Sequence, residues 1–176
     1  NHAAQQTQKN DSTIQRQNDD IAAKTRNAID SIPDNIIEQV YVATKKKKEA
    51  YLKKHAKRGD VFVIMPGFHV RIIKKGYGPM PTKYTEHVKM RYLVSSMNGS
   101  THQNSFFNIL EPTVELKKME PILRAGIMMM PVGSIWEFTI DPSLLSKKNR
   151  KNMSEKQLKY GANALSIVKI YLLGLL

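Results

Sequence analysis

GIMMMPVGSIWEFTI, residues 126–140, sets three methionines, a Pro131-Val132-Gly133 turn and the chain's single tryptophan side by side. Two readings compete for it. Consecutive methionines make an adaptable apolar surface that captures varied partners, and they equally fill gaps in a packed core. The context favours a core. EPILRAGIMMMP before the turn reads as a short helix stopped by Pro131, and GSIWEFTI after it reads as a strand rich in β-branched and aromatic residues. Pro131 and Gly133 then carry the chain from helix to strand.

The same strand texture extends outward from residue 60. In DVFVIMPGFHVRIIKKG (60–76), Phe68, Val70 and Ile72 point to one face while His69, Arg71 and Ile73 point to the other. HVKMRYLVSSMNGS (87–100) repeats the alternation with Val88, Met90 and Tyr92, and closes on the turn dipeptide Asn98-Gly99. ALSIVKIYLLGLL (164–176) supplies a last strand. The predicted fold class is α+β, an antiparallel sheet with one short helix across it.

Upstream, residues 1–32 are rich in Gln, Asn, Asp and Thr and nearly free of large apolar groups. Such a stretch buries too little surface to offset its ordering entropy, so it is expected as a polar tether, disordered or ordered only by a partner. Residues 33–59 are expected as a helix: Pro33 opens it, Ile36, Ile37, Val40 and Tyr41 form a stripe, and Gly59 stops it. The run Lys45–Lys48 circles that helix and reads mainly as a solvated face, with anion contact as the other reading. Residues 60–176 form the remaining domain.

The formal charge is +13, and an isoelectric point near 9.9 raises nucleic acid, anionic membrane or an acidic protein as partners. Residues 1–59 carry 12 basic and 7 acidic side chains and residues 60–176 carry 16 and 8, so the charge is diffuse. Without basic residues interleaved with aromatics, this argues against nucleic acid. No cysteine is present, which excludes disulfides and thiolate metal sites. His2, His55, His69, His87 and His102 share no metal-ligand spacing, so neither a metal nor a cofactor is expected. Gly76-Tyr77-Gly78 reads as a turn and not a phosphate loop. No run reaches the roughly 18 apolar residues of a membrane span. The chain opens on Asn1 and reads as a processed form or a fragment, leaving membrane attachment through a removed or lipidated N-terminus open.

Three stretches together resemble one family. GFHVRIIKKGYGPMPTKYTEHVKMRYL (67–93), MMMPVGSIWEFTI (128–140) and NALSIVKIYLL (163–173) are similar to the FKBP family of peptidyl-prolyl isomerases, nearest in kind to its macrophage infectivity potentiator branch of bacterial envelope proteins. The resemblance runs from about residue 66 to the end, and the helix before it resembles that branch's long connecting helix. It implies a twisted antiparallel sheet wrapped around a short helix. Between them the family holds a proline ring in an aromatic cleft and eases rotation about the prolyl amide without metal or cofactor. The branch also implies a periplasmic location, with outer-membrane association as its extension, and chaperone work.

Carried over residue by residue, the implied pocket is degenerate. Tyr92 matches the family's wall tyrosine. His102 stands at an aromatic wall position, Gln103 replaces an aspartate tied to catalysis, and Val114 replaces a phenylalanine. The family's V-I-P-G-W becomes MEPIL (119–123), so Met119 and Glu120 replace aliphatic residues and Leu123 replaces the tryptophan floor. Ser146 falls near the loop tyrosine, Val168 replaces a phenylalanine, and Tyr160 falls near an apolar pocket residue. Trp136 matches a scaffold position. In the methionine run, Met130 matches the family's own methionine, Met128 a polar position, and Met129 is expected to face the sheet as core filler.

Two further departures concern partners. SFFNIL (105–110) places Phe106, Phe107, Ile109 and Leu110 where the family carries a polar bulge, so these are candidate partner-binding residues or residues buried in a rearranged core. The basic loop SKKNRKNMSEKQLK (146–159) is either a docking surface or a solvated loop. Two functions follow: a pseudoenzyme acting as a structural or protein-binding subunit of an envelope complex, with the 33–59 helix as a candidate for self-association, or an active but slow isomerase and periplasmic chaperone.

Overall fold

A computed structural model of the protein describes residues 2–104 and 112–176. Two helices come first, α1 (His2–Asp30) and α2 (Asp34–Ala56), separated by the turn at Pro33. The strands follow: β1 (Val61–Met65), β2 (Phe68–Lys74), β3 (His87–Ser95), β4 (Thr101–Asn104) and β5 (Thr113–Glu115). Helix α3 (Pro121–Ile127), β6 (Ile135–Ile140), helix α4 (Glu155–Gly161) and β7 (Ser166–Leu175) complete the chain. The sheet is antiparallel in the order β1-β2-β6-β7-β3-β4, with β5 beside the other end of β3.

Strand alternation divides the sheet into two unlike faces. Phe68, Val70, Phe138, Ile140, Val168, Ile170, Leu172, Val88 and Met90 are buried in one cluster with Ile127 and Met130 at the end of α3. Gly126 lets the helix approach, because a Cβ there would lie 2.5 Å from the Phe138 ring. The opposite face carries His69, Arg71, Glu137 and Thr139, paired across β2 and β6. Helix α2 docks there with polar side chains. Lys48 reaches Asp141 at 2.9 Å and His55 reaches His69 at 2.8 Å. Only Ile37 and His55 of α2 are buried, so its apolar stripe supplies little of this attachment. The run Lys45–Lys48 is therefore not wholly a solvated face.

The opening stretch forms the expected helix, turn and strand. Gly133 adopts φ +93°, which Gly tolerates without strain. The Gly76-Tyr77-Gly78 turn packs on it: Gly76 N–H donates to Ser134 Oγ (3.1 Å) and Gly78 N–H to Val132 O (3.0 Å). The phase of the methionines differs from the expectation. Met130 is buried, whereas Met129 is 62% exposed. Helix α3 ends at Ile127 and Met128 occupies its C-cap, so the turn that follows swings Met129 outward and Met130 in. Met129 lines an apolar groove of about 370 Å³ with Phe62, Ile64 and Trp136. Part of the methionine run is thus surface after all.

Helix α1 occupies residues expected as a tether, and none of its side chains is buried. The basic stretch 146–159 is not simply a loop. Its second half forms α4, capped reciprocally by Ser154 and Gln157. Helix α4 rests on the α1–α2 junction: Lys156 donates to Ile32 O at 2.8 Å, Gln157 to Asp30 Oδ2 at 2.8 Å and to Arg26 O at 3.2 Å, and Lys159 pairs with Glu38. The four candidate partner-binding residues Phe106, Phe107, Ile109 and Leu110 lie outside the described residues.

Candidate functional site

The positions that the resemblance maps to the proline cleft fall on strands β3, β5 and β7 and at the N-terminal end of α3. Tyr92 pairs with Ile170 across β3 and β7, and Val94 with Val168. Val114 sits on β5 opposite Val88. Tyr92, Val114, Met119 and Leu123 are half-buried against the same apolar cluster that contains Val168. Five of the mapped positions therefore border one apolar core, and four of them are aliphatic or thioether side chains. A Phe or Trp side chain buries about 150–250 Å². Val and Leu in those places leave smaller walls, continuous with the core.

Pro121 begins α3, and Glu120 is its N-cap residue. The Glu120 carboxylate makes no capping bond to the helix and instead reaches across to the loop after β6. Ser146 N–H donates to Glu120 Oε2 at 3.0 Å and the Ser146 hydroxyl to Oε1 at 3.2 Å. Two positions that the resemblance maps to the site are thus joined by a hydrogen-bonded clasp, one partner being a carboxylate. The loop is shaped further from within. Asp141 accepts from Ser143 N–H (3.0 Å), and Arg150 donates to the carbonyls of Pro142 and Leu145. The loop and α4 together line an open pocket of about 550 Å³, with Leu145, Ser146, Met153, Leu158 and Ala162 in its walls.

The remaining candidates are not among the residues of this apolar cluster. Gln103 is on β4 with its backbone opposite Val94, and His102 precedes it. Tyr160 is on α4, 40% exposed. Among the described residues no cluster of three or more His, Asp or Glu is arranged to hold a metal. No helix of the described residues is long and apolar enough to cross a membrane.

Sequence reasoning named Glu120 and Ser146 separately and missed that they bond to each other, since 26 residues separate them. It also missed the His55–His69 contact, the Lys48–Asp141 ion pair and α4. Only the last had a local signal, the capping-box spacing Ser154-x-x-Gln157.

Comparison with known proteins agrees with the fold. No protein-family model matches the chain. It is 26% identical over 125 residues to the FKBP-type 22 kDa peptidyl-prolyl cis-trans isomerase of Escherichia coli, covering 71% of this chain and 60% of that protein. It is 31% identical over 103 residues to the FKBP-type peptidyl-prolyl cis-trans isomerase FkpA of Aeromonas hydrophila, covering 58% of this chain and 38% of that protein. The chain thus spans less than two thirds of the length of either curated relative. Among solved structures, Escherichia coli FkpA superposes with a TM-score of 0.64 at 18% identity, over 92% of this chain and 71% of that one. A peptidyl-prolyl cis-trans isomerase from Pseudomonas syringae superposes with a TM-score of 0.60 at 16% identity, over 76% of this chain and 93% of that one. The chain is an FKBP-like protein: its sheet and short helix have the fold of the FKBP-type peptidyl-prolyl cis-trans isomerases, and its sequence is similar to theirs.

Proposed function

We propose that this FKBP-like protein has lost prolyl isomerase activity and serves as a protein-binding subunit of a bacterial envelope complex on the periplasmic side. One observation carries the loss of activity: the Glu120–Ser146 clasp between two positions mapped to the site. Rotation about a prolyl amide faces a barrier of about 18–20 kcal/mol. A dry pocket lowers it by favouring the twisted, less polar amide, with fixed donors orienting the carbonyl. Here a substrate would have to part Ser146 from Glu120 and leave a carboxylate beside its ring, which costs desolvation energy. The aliphatic replacements at Val114, Leu123 and Val168 remove the aromatic walls that would offset that cost.

The subunit role rests on different support. A helix gains most of its stability in water from packing an apolar face, yet α1 runs for 29 residues with none of them buried. Ile14 and Ile21, two turns apart on one side, are both exposed. We take self-association through α1, in place of the 33–59 helix expected from the sequence, as the first interaction, and envelope subunits as the wider partners. Periplasmic location, with outer-membrane association as its extension, rests on likeness to the bacterial envelope branch of the family.

A second reading, a slow isomerase with chaperone activity, is favoured by the names of both curated relatives and by the retained Tyr92. A proline isomerisation assay on a short X-Pro peptide separates the two. The expected result is a rate equal to the spontaneous one. Turnover within about tenfold of an active FKBP-type enzyme, lost in Tyr92→Phe, would overturn the first reading in favour of the second.

A further inference from the structure

His55 and His69 are 14 residues apart in the chain and meet where α2 lies on the sheet. Both are buried, 6% and 3% exposed. Their Nδ1 atoms are 2.8 Å apart, and the rings meet edge to edge with centroids at 5.1 Å and planes 2° from parallel. Tyr51, one turn earlier on α2, stacks on His55 with centroids at 5.5 Å. At this separation the two ring nitrogens share one proton, one donating and the other accepting. Doubly protonated rings would set two N–H donors head to head and two positive charges in contact, away from water.

The surroundings do not welcome a second charge. Arg58 at the end of α2 and Arg71 on β2 are positive. The nearby carboxylates are already engaged: Glu137 on β6 accepts both bonds of the Arg71 fork at 3.2 Å, and Asp60, before β1, accepts both of Arg58's at 2.9 Å. Opposite His69 stand Val63 on β1 and the buried Thr139 on β6, neither of them charged. Burial raises the Tyr51 hydroxyl above its ordinary range, so it stays neutral. Burial also lowers His55, with His69 adding to the effect, and burial lowers His69.

We propose that the His55–His69 pair is an acid-operated latch, which holds the C-terminal turns of α2 on the sheet when it shares one proton and releases them when both rings are charged. The sign follows from linkage. The undocked imidazoles bind protons more readily than the docked ones, so docking is complete above the ordinary histidine value near 6.5 and weakens as pH falls below it. Release is local. Two turns up the helix, Lys48 holds Asp141, whose carboxyl is lowered below its ordinary 3.8, so that anchor stays charged while the latch opens.

Hydrogen exchange on the full chain between about pH 7.5 and pH 5, corrected for intrinsic rates, tests this. Protection of amides 51–57 is expected to fall about tenfold relative to those of residues 36–42 and of β7. In the His55→Gln/His69→Gln variant the amide side chains can still pair without titrating, and the relative fall should vanish. A wild-type fall below about threefold, or an equal fall in the double variant, overturns the latch. Should the variant not fold, imidazole NMR of the wild type decides. Midpoints for both rings below 6.5 that coincide with the exchange change support the latch, and midpoints at or above 6.5 overturn it.

Discussion

Replacing Lys48 by Met should weaken the protein more than any other single lysine change on α2. The ammonium lies 2.9 Å from Asp141, and the two side chains are 15% and 11% exposed. Met keeps the aliphatic stem and removes only the charge. Asp141 is then left nearly dry with one remaining donor, Ser143 N–H at 3.0 Å. Removing one partner of a buried pair costs about 3–5 kcal/mol. The residual exposure and the Ser143 bond reduce this to about 2–3 kcal/mol. For a chain of this size that is a drop of roughly 5–10 °C in Tm.

Urea and thermal unfolding, followed by Trp136 fluorescence and far-ultraviolet dichroism, measure it. The double variant Lys48→Met/Asp141→Asn should lose less than the sum of the two single changes, by about 1–2 kcal/mol, because no charge is stranded. Burial alone would raise Asp141; its bonds to Ser143 and Lys48 outweigh that and hold it below 3.8. The wild-type advantage is therefore full above that value and is lost as pH falls through the depressed one. A loss under about 0.5 kcal/mol for Lys48→Met, or one abolished by about 0.5 M salt, would mean a solvated surface pair and refute this account of how α2 is held.

Three further outcomes are expected. Gly126→Ala forces a methyl against the buried Phe138 ring and should cost about 1–3 kcal/mol in urea unfolding. Glu120→Ala removes the acceptor of Ser146 N–H, so exchange at that amide should rise about tenfold while global stability changes by less than about 1.5 kcal/mol. An unchanged Ser146 amide would mean that the clasp does not hold the loop. Deleting residues 1–24, upstream of the first bond from α4 at Arg26, should leave the unfolding midpoint within about 0.5 kcal/mol of the full chain. If α1 mediates self-association, light scattering of that truncation will give a monomer where the full chain gives a larger species.

The sequence alone determined β2, β3, β6 and β7, the short helix and the turn between helix and strand, but not the short strands β4 and β5 or the hairpin of β1 with β2. Alternation in Phe68–Ile73 and Val88–Tyr92, and the Pro131–Gly133 step, are encoded within a few residues and survive whatever surrounds them. That Val114, Leu123 and Val168 are aliphatic is likewise plain in the sequence, whereas their place in a proline pocket is what the resemblance implies. The sequence could not fix the phase of the methionines. Whether Met129 or Met130 turns inward depends on where α3 ends against Phe138. Nor could it pair His55 with His69, Lys48 with Asp141 or Glu120 with Ser146. Each pair joins residues on different elements with no local pattern between them, and each becomes a bond only once packing has excluded water. Helix α2 is held by such contacts more than by its apolar stripe. A chain whose helix attaches through buried polar pairs reveals its elements in sequence, and only the folded structure decides how they are fastened.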